Sequence, residues 1–464
     1  MNTNMTKKIA FAVATFALCL SSLAAQEKQA PPAGGPPKPF NVPAHESYAL
    51  PNGLKVTLVP YGNLPKVTLS LVVRTGNLNE PADMPGLADM VGKLMKEGTT
   101  SKSSKQIAEE AAGMGGAVNI TVGADESDVT IDVLSDFDAK AVALLGDVAQ
   151  HPLFPDSELP RLKTDAERQL SISKAVPQNM ALEKFRKLLY GDHPYGTVFP
   201  TQESIQKTTV ADIKKFYEGN FGAARSHLYV AGRFDTAAAK KAIAANFGGW
   251  AKGAAAATNL PKVKPQRVLD LTDRPGAAQS TLLIGMPVPD ATSPDAIPLG
   301  VTNALLGGSF GSRITSNIRE QKGYTYSPSS QISRRYHDAY WAETADVTTQ
   351  HTGDSLKEIF AEIDKLAKEP PADAELKGIQ SYLSGLFVIQ NSSRGALINQ
   401  LRFVDFQGLG EDYLKTYVQK VNAVTPAAVS KMTLQYIKPD QMTIVVVGDK
   451  AKVAEQVAPY GAKN

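Results

Sequence analysis

Between Pro85 and Thr99 lie the first residues whose types and spacing could do chemistry. Leu87, Met90, Val91, Leu94 and Met95 recur at the three-and-four spacing of an apolar helical stripe. Asp89, Gly92, Lys93 and Lys96 fall on the opposite stripe, with Pro85 suited to a first helical position and Gly98 to a stop. A divalent metal would need lone-pair donors at such positions, and this stripe offers one carboxylate and two ammonium groups. The spacing is that of a metal site; the residue types are not. The six histidines, His45, His151, His193, His227, His337 and His351, include no pair at helical ligand spacing, and each reads as a surface or core-edge imidazole. No Gly-x-Ser-x-Gly elbow lies between a predicted strand and a helix. The loop Gly307-Gly-Ser-Phe-Gly-Ser312 lacks the Lys-Ser/Thr ending of a phosphate cradle and reads as a mobile or peptide-contacting loop.

The elements that must position these residues follow from periodicity. Leu54, Val56 and Leu58 alternate with polar neighbours, and Val67 to Arg74 follows a Gly62-Asn63 turn, so the first domain is expected to open on a strand pair. Ser104 to Ala112 predicts a helix. Val118 to Val122 and Val129 to Val133 predict a hairpin across a polar turn from Gly123 to Asp128. Asp136 is placed to cap a helix burying Val142, Leu145 and Val148, and a long helix is predicted from Ser157 to Lys174. In the second half, Leu282 to Gly285 reads as strand, Pro298 to Leu306 and Arg313 to Lys322 as helices, and Leu356, Ile359, Phe360, Ile363 and Leu366 as the buried stripe of another. Thr209-Val-Ala-Asp-Ile and Thr425-Pro-Ala-Ala-Val open one unit that occurs twice, each copy running through a buried strand to Gly232 or Gly448 at a constant offset of 216 positions. The fold class is therefore α+β, with two homologous domains in tandem, 46–250 and 267–464, joined by an Ala- and Lys-rich linker at 251–266.

Composition narrows the function. A formal net charge of +3 over 464 residues points to neither nucleic acid nor an anionic membrane, and no later apolar run reaches spanning length. Lys7 and Lys8, the apolar run from Ile9 to Leu20 and Ser22-Leu-Ala-Ala25 predict a secretory signal peptide over 1–25, hence a periplasmic protein, followed by a Pro/Gly-rich spacer over 26–45. The single cysteine, Cys19, lies inside that signal, and Phe16-Ala-Leu18 before it does not match a lipid-attachment site, so no lipid anchor is expected. The mature chain has no thiol and no cysteine metal ligand.

Gly86-Leu-Ala, Leu94 and Gly98-Thr99 resemble the helix that carries the inverted zinc motif His-x-x-Glu-His in the pitrilysin/insulinase family, which includes mitochondrial processing peptidase and small bacterial periplasmic relatives. His151-Pro-Leu-Phe154, His193-Pro-Tyr-Gly196, Phe247-Gly-Gly-Trp250, Ser312-Arg-Ile314 and Ile318-Arg-Glu-Gln-Lys-Gly-Tyr-Thr-Tyr326 agree with it, in order and across nearly the whole mature chain. The resemblance implies a clamshell half built from two domains, each a mixed, largely antiparallel sheet with helices packed on one face. It also exposes a departure. The family's first His falls on Asp89, its general-base Glu on Gly92, its second His on Lys93 and its later Glu ligand at Gln169, and none of the four is kept. A protonated Lys repels a dication and Gly92 cannot accept a proton from water, so no zinc and no catalytic residue are expected in this chain.

What the resemblance leaves is Arg319 and Tyr326, seven residues apart, matching the Arg/Tyr pair that the family's C-terminal domain brings to the substrate; Tyr324 is the competing tyrosine. Arg and Tyr together can hold a peptide carbonyl or a developing oxyanion. The resemblance thus implies a non-catalytic, substrate-binding subunit of a periplasmic heterodimeric zinc peptidase. Zinc would be supplied by a homologous partner chain, and peptides or unfolded protein segments would be the substrate. The alternative is a peptidase-fold structural or peptide-binding protein with no part in proteolysis, as core subunits of respiratory complexes resemble.

Overall fold

The computed structural model describes residues 41–410 and 412–461; the segment 1–25 read as a signal peptide and most of the 26–45 spacer lie outside them. The first half runs β1 (Glu46–Ala49), β2 (Lys55–Pro60), β3 (Lys66–Val73), α1 (Leu87–Met95), α2 (Ser104–Gly113), β4 (Asn119–Val122), β5 (Ser127–Leu134), α3 (Asp138–Gln150), α4 (Leu159–Lys174), α5 (Pro177–Tyr190), α6 (Gln202–Lys207), α7 (Val210–Asn220), β6 (Ser226–Gly232) and α8 (Thr236–Phe247). The second runs β7 (Val268–Asp273), β8 (Gln279–Val288), α9 (Ala296–Asn303), β9 (Ser329–Arg335), β10 (Asp338–Thr348), α10 (Thr352–Lys368), α11 (Asp373–Gln390), α12 (Arg394–Gln407), α13 (Asp412–Asn422), α14 (Pro426–Tyr436), β11 (Thr443–Gly448) and α15 (Lys450–Val457). Residues 251–267 between the halves carry neither helix nor strand.

Two sheets result, ordered β1-β2-β6-β3-β5-β4 and β7-β11-β8-β10-β9. Without the extra edge strand β1, the second order repeats the first strand for strand. In each, the last strand in sequence lies parallel to the first and antiparallel to the second. The duplicated unit read from the sequence is this insertion: Thr209 and Thr425 cap α7 and α14 with side-chain hydrogen bonds, and β6 and β11 follow. The fold is α+β, two halves of one topology.

One expected pairing is wrong. β2 and β3 are not hydrogen-bonded to each other, because β6 lies between them. The reason is burial: Leu228, Tyr229, Val230 and Ala231 are all at most 2% exposed, and such a strand belongs in the middle of a sheet, where both faces are covered. Asp136 also fails to cap α3, which begins at Asp138 with no side-chain cap.

Each sheet is covered on one face by its own helices and on the other by a helix from the opposite half. α5 leaves the first half and sets Phe185 against Tyr340, ring centroids 5.4 Å apart, among Leu283, Val445 and Val447 of the second sheet. Gly285 on β8 permits this, since a Cβ there would stand 2.9 Å from the Phe185 ring. Reciprocally, α12 lays Leu397 and Ile398 over Val59, Val72, Tyr229 and Ala231 of the first sheet. The same helix carries two arginines into acidic positions on β5 and the turn before it. Arg402 donates to Glu126 at 2.7 Å and to Asp128 at 3.0 Å, and Arg394 to Asp132 at 3.0 Å. Burial pushes the Glu126 and Asp128 carboxyls above their ordinary range, opposed by the Arg402 charge.

Arg402→Ala leaves Asp128 without its cation and Glu126 with only Arg74 at 3.8 Å, and is expected to cost roughly 3–5 kcal/mol in chemical denaturation. Neutralising both acids as well, as Glu126→Gln and Asp128→Asn, should recover a large part of that loss.

Candidate functional site

α1 begins at Leu87, two residues later than Pro85 suggests, because Gly86 takes a left-handed φ of 92° at its N-cap. The cap it lacks is supplied from outside the helix. Glu80 accepts from the backbone N–H of Gly86 at 3.0 Å and of Ala88 at 2.9 Å, satisfying donors that a helix start leaves open and placing negative charge at its positive end. The Asn77 amide donates to Glu80 at 3.0 Å and to Asp89 at 2.9 Å, tying the two carboxyls together. Burial pushes Glu80 up to about 7 despite hydrogen bonds from Asn77, Gly86 and Ala88, and Asp89 adds to the rise. Asp89 itself is raised by burial, opposed by Asn77 and Lys93.

Asp89, Lys93 and Gln169 line one pocket of about 220 Å³, walled also by Met90, Ala166 and Phe199. Lys93 and Gln169 are exposed, and Gln169 donates to the Ser173 hydroxyl at 3.3 Å. Gly92 does not join them. It is buried against β4, where a Cβ would stand 2.8 Å from Val122 Cγ2 and 3.4 Å from Ile120 Cγ2. The stripe opposite the apolar one is thus not polar throughout: at residue 92 it is a packing surface, and valine and isoleucine side chains fill the space beside it. Zinc does not fit these residues. An ammonium has no lone pair, Gly92 has no side chain, and Asp89 is held by Asn77. Among the described residues no group of three or more His, Cys, Asp or Glu could hold a metal ion.

Arg319 lies on a π-helical segment, Thr315–Gln321. Its guanidinium stands 4.3 Å over the Phe310 ring and 3.5 Å from Glu320. Phe310 is 72% exposed and Tyr326 86% exposed, whereas Tyr324 is half-buried and stacks on His351 at 4.2 Å. Tyr326 is thus the tyrosine left open to meet another molecule. Neither Arg319 nor Tyr326 lines the pocket of Asp89, Lys93 and Gln169. Gly307-Gly-Ser-Phe-Gly311 has the letters of a nucleophile elbow but joins a π-helical turn, Ala304–Gly308, rather than a strand to a helix. The Ser309 hydroxyl is buried there with no hydrogen-bond partner.

Comparison with known proteins matches residues 56–199 to the family model Insulinase (Peptidase family M16) and residues 207–383 to the Peptidase M16 inactive domain. The chain belongs to the insulinase family. It is similar to a Bacillus subtilis protein described as an uncharacterized zinc protease, YmxG, 24% identical over 336 residues that cover 72% of this chain and 79% of that one. A Helicobacter pylori protein described as a non-peptidase homolog, YmxG, is 22% identical over 420 residues, 86% of this chain and 94% of that one. Among solved structures, a peptidase M16 inactive domain from Pseudomonas fluorescens superposes with a TM-score of 0.81 at 24% identity, covering 87% of this chain and 98% of its own. A Helicobacter pylori protease does so at 0.81 and 21%, covering 88% and 100%. These structural likenesses carry the fold.

For an insulinase-family chain the informative residues at α1 include two that sequence reasoning missed, Glu80 and Asn77. Glu80 lies six residues ahead of the N-cap, outside the three-residue spacing of a capping box, so no local signal points to it.

Gly92→Ala is expected to cost about 1–3 kcal/mol through the clash with Val122. Pairing it with Val122→Ala should relieve that cost; simple additivity of the two losses would show that no clash exists. Glu80 gives a pH signature with a definite sign. Its folded value lies above the unfolded one, so the folded state holds a proton that the unfolded chain has released between about 4.5 and about 7. The stability it contributes is full below that window and lost as pH rises through it, at up to about 1.4 kcal/mol per pH unit. In denaturant titrations Glu80→Gln should flatten that slope relative to the unaltered protein.

Proposed function

We propose that this chain is a non-catalytic, substrate-binding subunit of a periplasmic heterodimeric zinc peptidase, in which a homologous partner chain supplies zinc and this one supplies Arg319 and Tyr326 to the peptide. The observation that carries the reading is the packing of Val122 and Ile120 against Gly92. A site that had merely exchanged its ligands would keep room for a base and a water molecule; here Val122 and Ile120 fill the space beside residue 92, which supports chemistry supplied from elsewhere. The exposed aromatic surface of Phe310 and Tyr326 around the Arg319 guanidinium supports the second half as the side that meets substrate. Arg319 offers charge-assisted donors and Tyr326 a phenolic one to an extended backbone. An exported chain finds both a partner and peptides in the periplasm, in keeping with its N-terminal sequence and its lack of cysteine after Cys19.

Affinity purification from the periplasm should bring down a chain of similar size bearing His-x-x-Glu-His, with chelator-sensitive peptidase activity only in the mixture. Within that complex Arg319→Ala should lower turnover at least roughly tenfold, the scale of losing one oxyanion-type donor. A partner-free monomer, or a complex whose turnover ignores Arg319, would sink this reading and leave a peptidase-fold binding or structural protein.

A further inference from the structure

A second and larger cavity, about 420 Å³, opens where the two halves meet, and its lining includes Asn77, Glu80 and Asp89 together with Arg186 of α5, Arg335 of β9 and Tyr195. The two arginines are unusual in forming no ion pair among the described residues. Arg186 makes no side-chain hydrogen bond or ion pair among the described residues, and the Nε of both Arg186 and Arg335 is shielded from water without a partner. Arg335 stands over the Tyr195 ring, 5.5 Å from its centroid. Burial lowers Arg186 from its ordinary value, and the charge of Arg335 lowers it further. Asp125, which accepts from the Tyr195 hydroxyl at 2.5 Å, and Asp338, which accepts from the Tyr190 hydroxyl at 2.6 Å, lie near enough for the Arg335 charge to oppose the rise of their carboxyls, yet neither forms an ion pair with it. Arg186, shielded from water with neither a hydrogen bond nor an ion pair, is costly there unless a ligand completes it.

The acceptors on the same cavity say what kind of ligand that is. Neither Glu80 nor Asp89 pairs with either arginine; Glu80 already accepts from Asn77, Gly86 and Ala88, so the acceptor open on the cavity is Asp89, held by Asn77 through one oxygen. A phosphate would satisfy the forks alone and be repelled by the acids. A peptide end carries a carboxylate for the forks and an N–H donor for Asp89. We propose that this cavity binds the free C-terminal carboxylate of a short peptide, held by Arg186 and Arg335, with a peptide N–H directed to Asp89. The choice of a peptide rests partly on the substrate-binding reading above, but the site is complete within this chain and is tested without any partner, so the two readings fail separately.

Calorimetry on the purified chain, with tri-alanine acid, tri-alanine amide, acetate and inorganic phosphate as probes, decides it. The acid should bind at least about tenfold more tightly than the amide, the worth of one charge-assisted hydrogen bond, and more tightly than acetate or phosphate. Arg186→Gln and Arg335→Gln, made separately so that one folded variant suffices, should each abolish the preference for acid over amide; Arg186→Lys should keep only part of it. Equal affinity for acid and amide, no binding of either, or tighter binding of acetate or phosphate than of the peptide acid would overturn the proposal.

Discussion

A sheet whose central strand is apolar on both faces has to be covered twice, and each half of this chain covers its own sheet only once. β11 is buried throughout and β6 at every position but His227, so each sheet would expose an apolar face were it not for the helix that crosses from the other half. α5 and α12 meet that demand reciprocally, and the rest of the structure follows from the exchange. It brings Arg402 onto Glu126 and Asp128, sets Arg186 beside a strand of the opposite sheet, and leaves the two lineages of one duplicated unit unable to bury themselves alone.

The degenerate site belongs to the same economy of packing. α1 rests on the edge strand β4, and the contact at Gly92 is close enough that no side chain fits without displacement of Val122. Asp89 is not left loose either: Asn77 donates to it and to Glu80, which caps the helix, so a position of metal-ligand spacing is part of a polar cluster at the start of α1.

Much of this was legible in the sequence because it is local or repeated. Alternation marked β4 and β5, the apolar stripe marked α1, and the constant offset between Thr209 and Thr425 marked the duplicated unit that becomes β6 and β11. What escaped is non-local. That β6 inserts between β2 and β3 depends on covering both of its faces, which no adjacent residues announce. α5 was passed over because its apolar residues, Phe185 and Leu189 among them, serve a sheet formed by residues about 100 or more positions away. Glu80 was invisible for the same reason: its hydrogen bonds reach past the spacing at which caps are recognised. Asp89 and Lys93 share a face by helical spacing, whereas Gln169, on α4, reaches the same pocket only through tertiary packing.

The crossed helices also bear on motion. Two domains joined by an exposed stretch such as 251–267 suggest a hinge, yet here each half holds a helix of the other against its sheet, so opening the halves would strip Phe185 from one apolar face and Leu397 from the other in a single event. The stretch between them is a connection without being a pivot. Even cut there, the two pieces would remain clasped, and any widening that admits a ligand must come from the rims of the sheets and the turns at their edges.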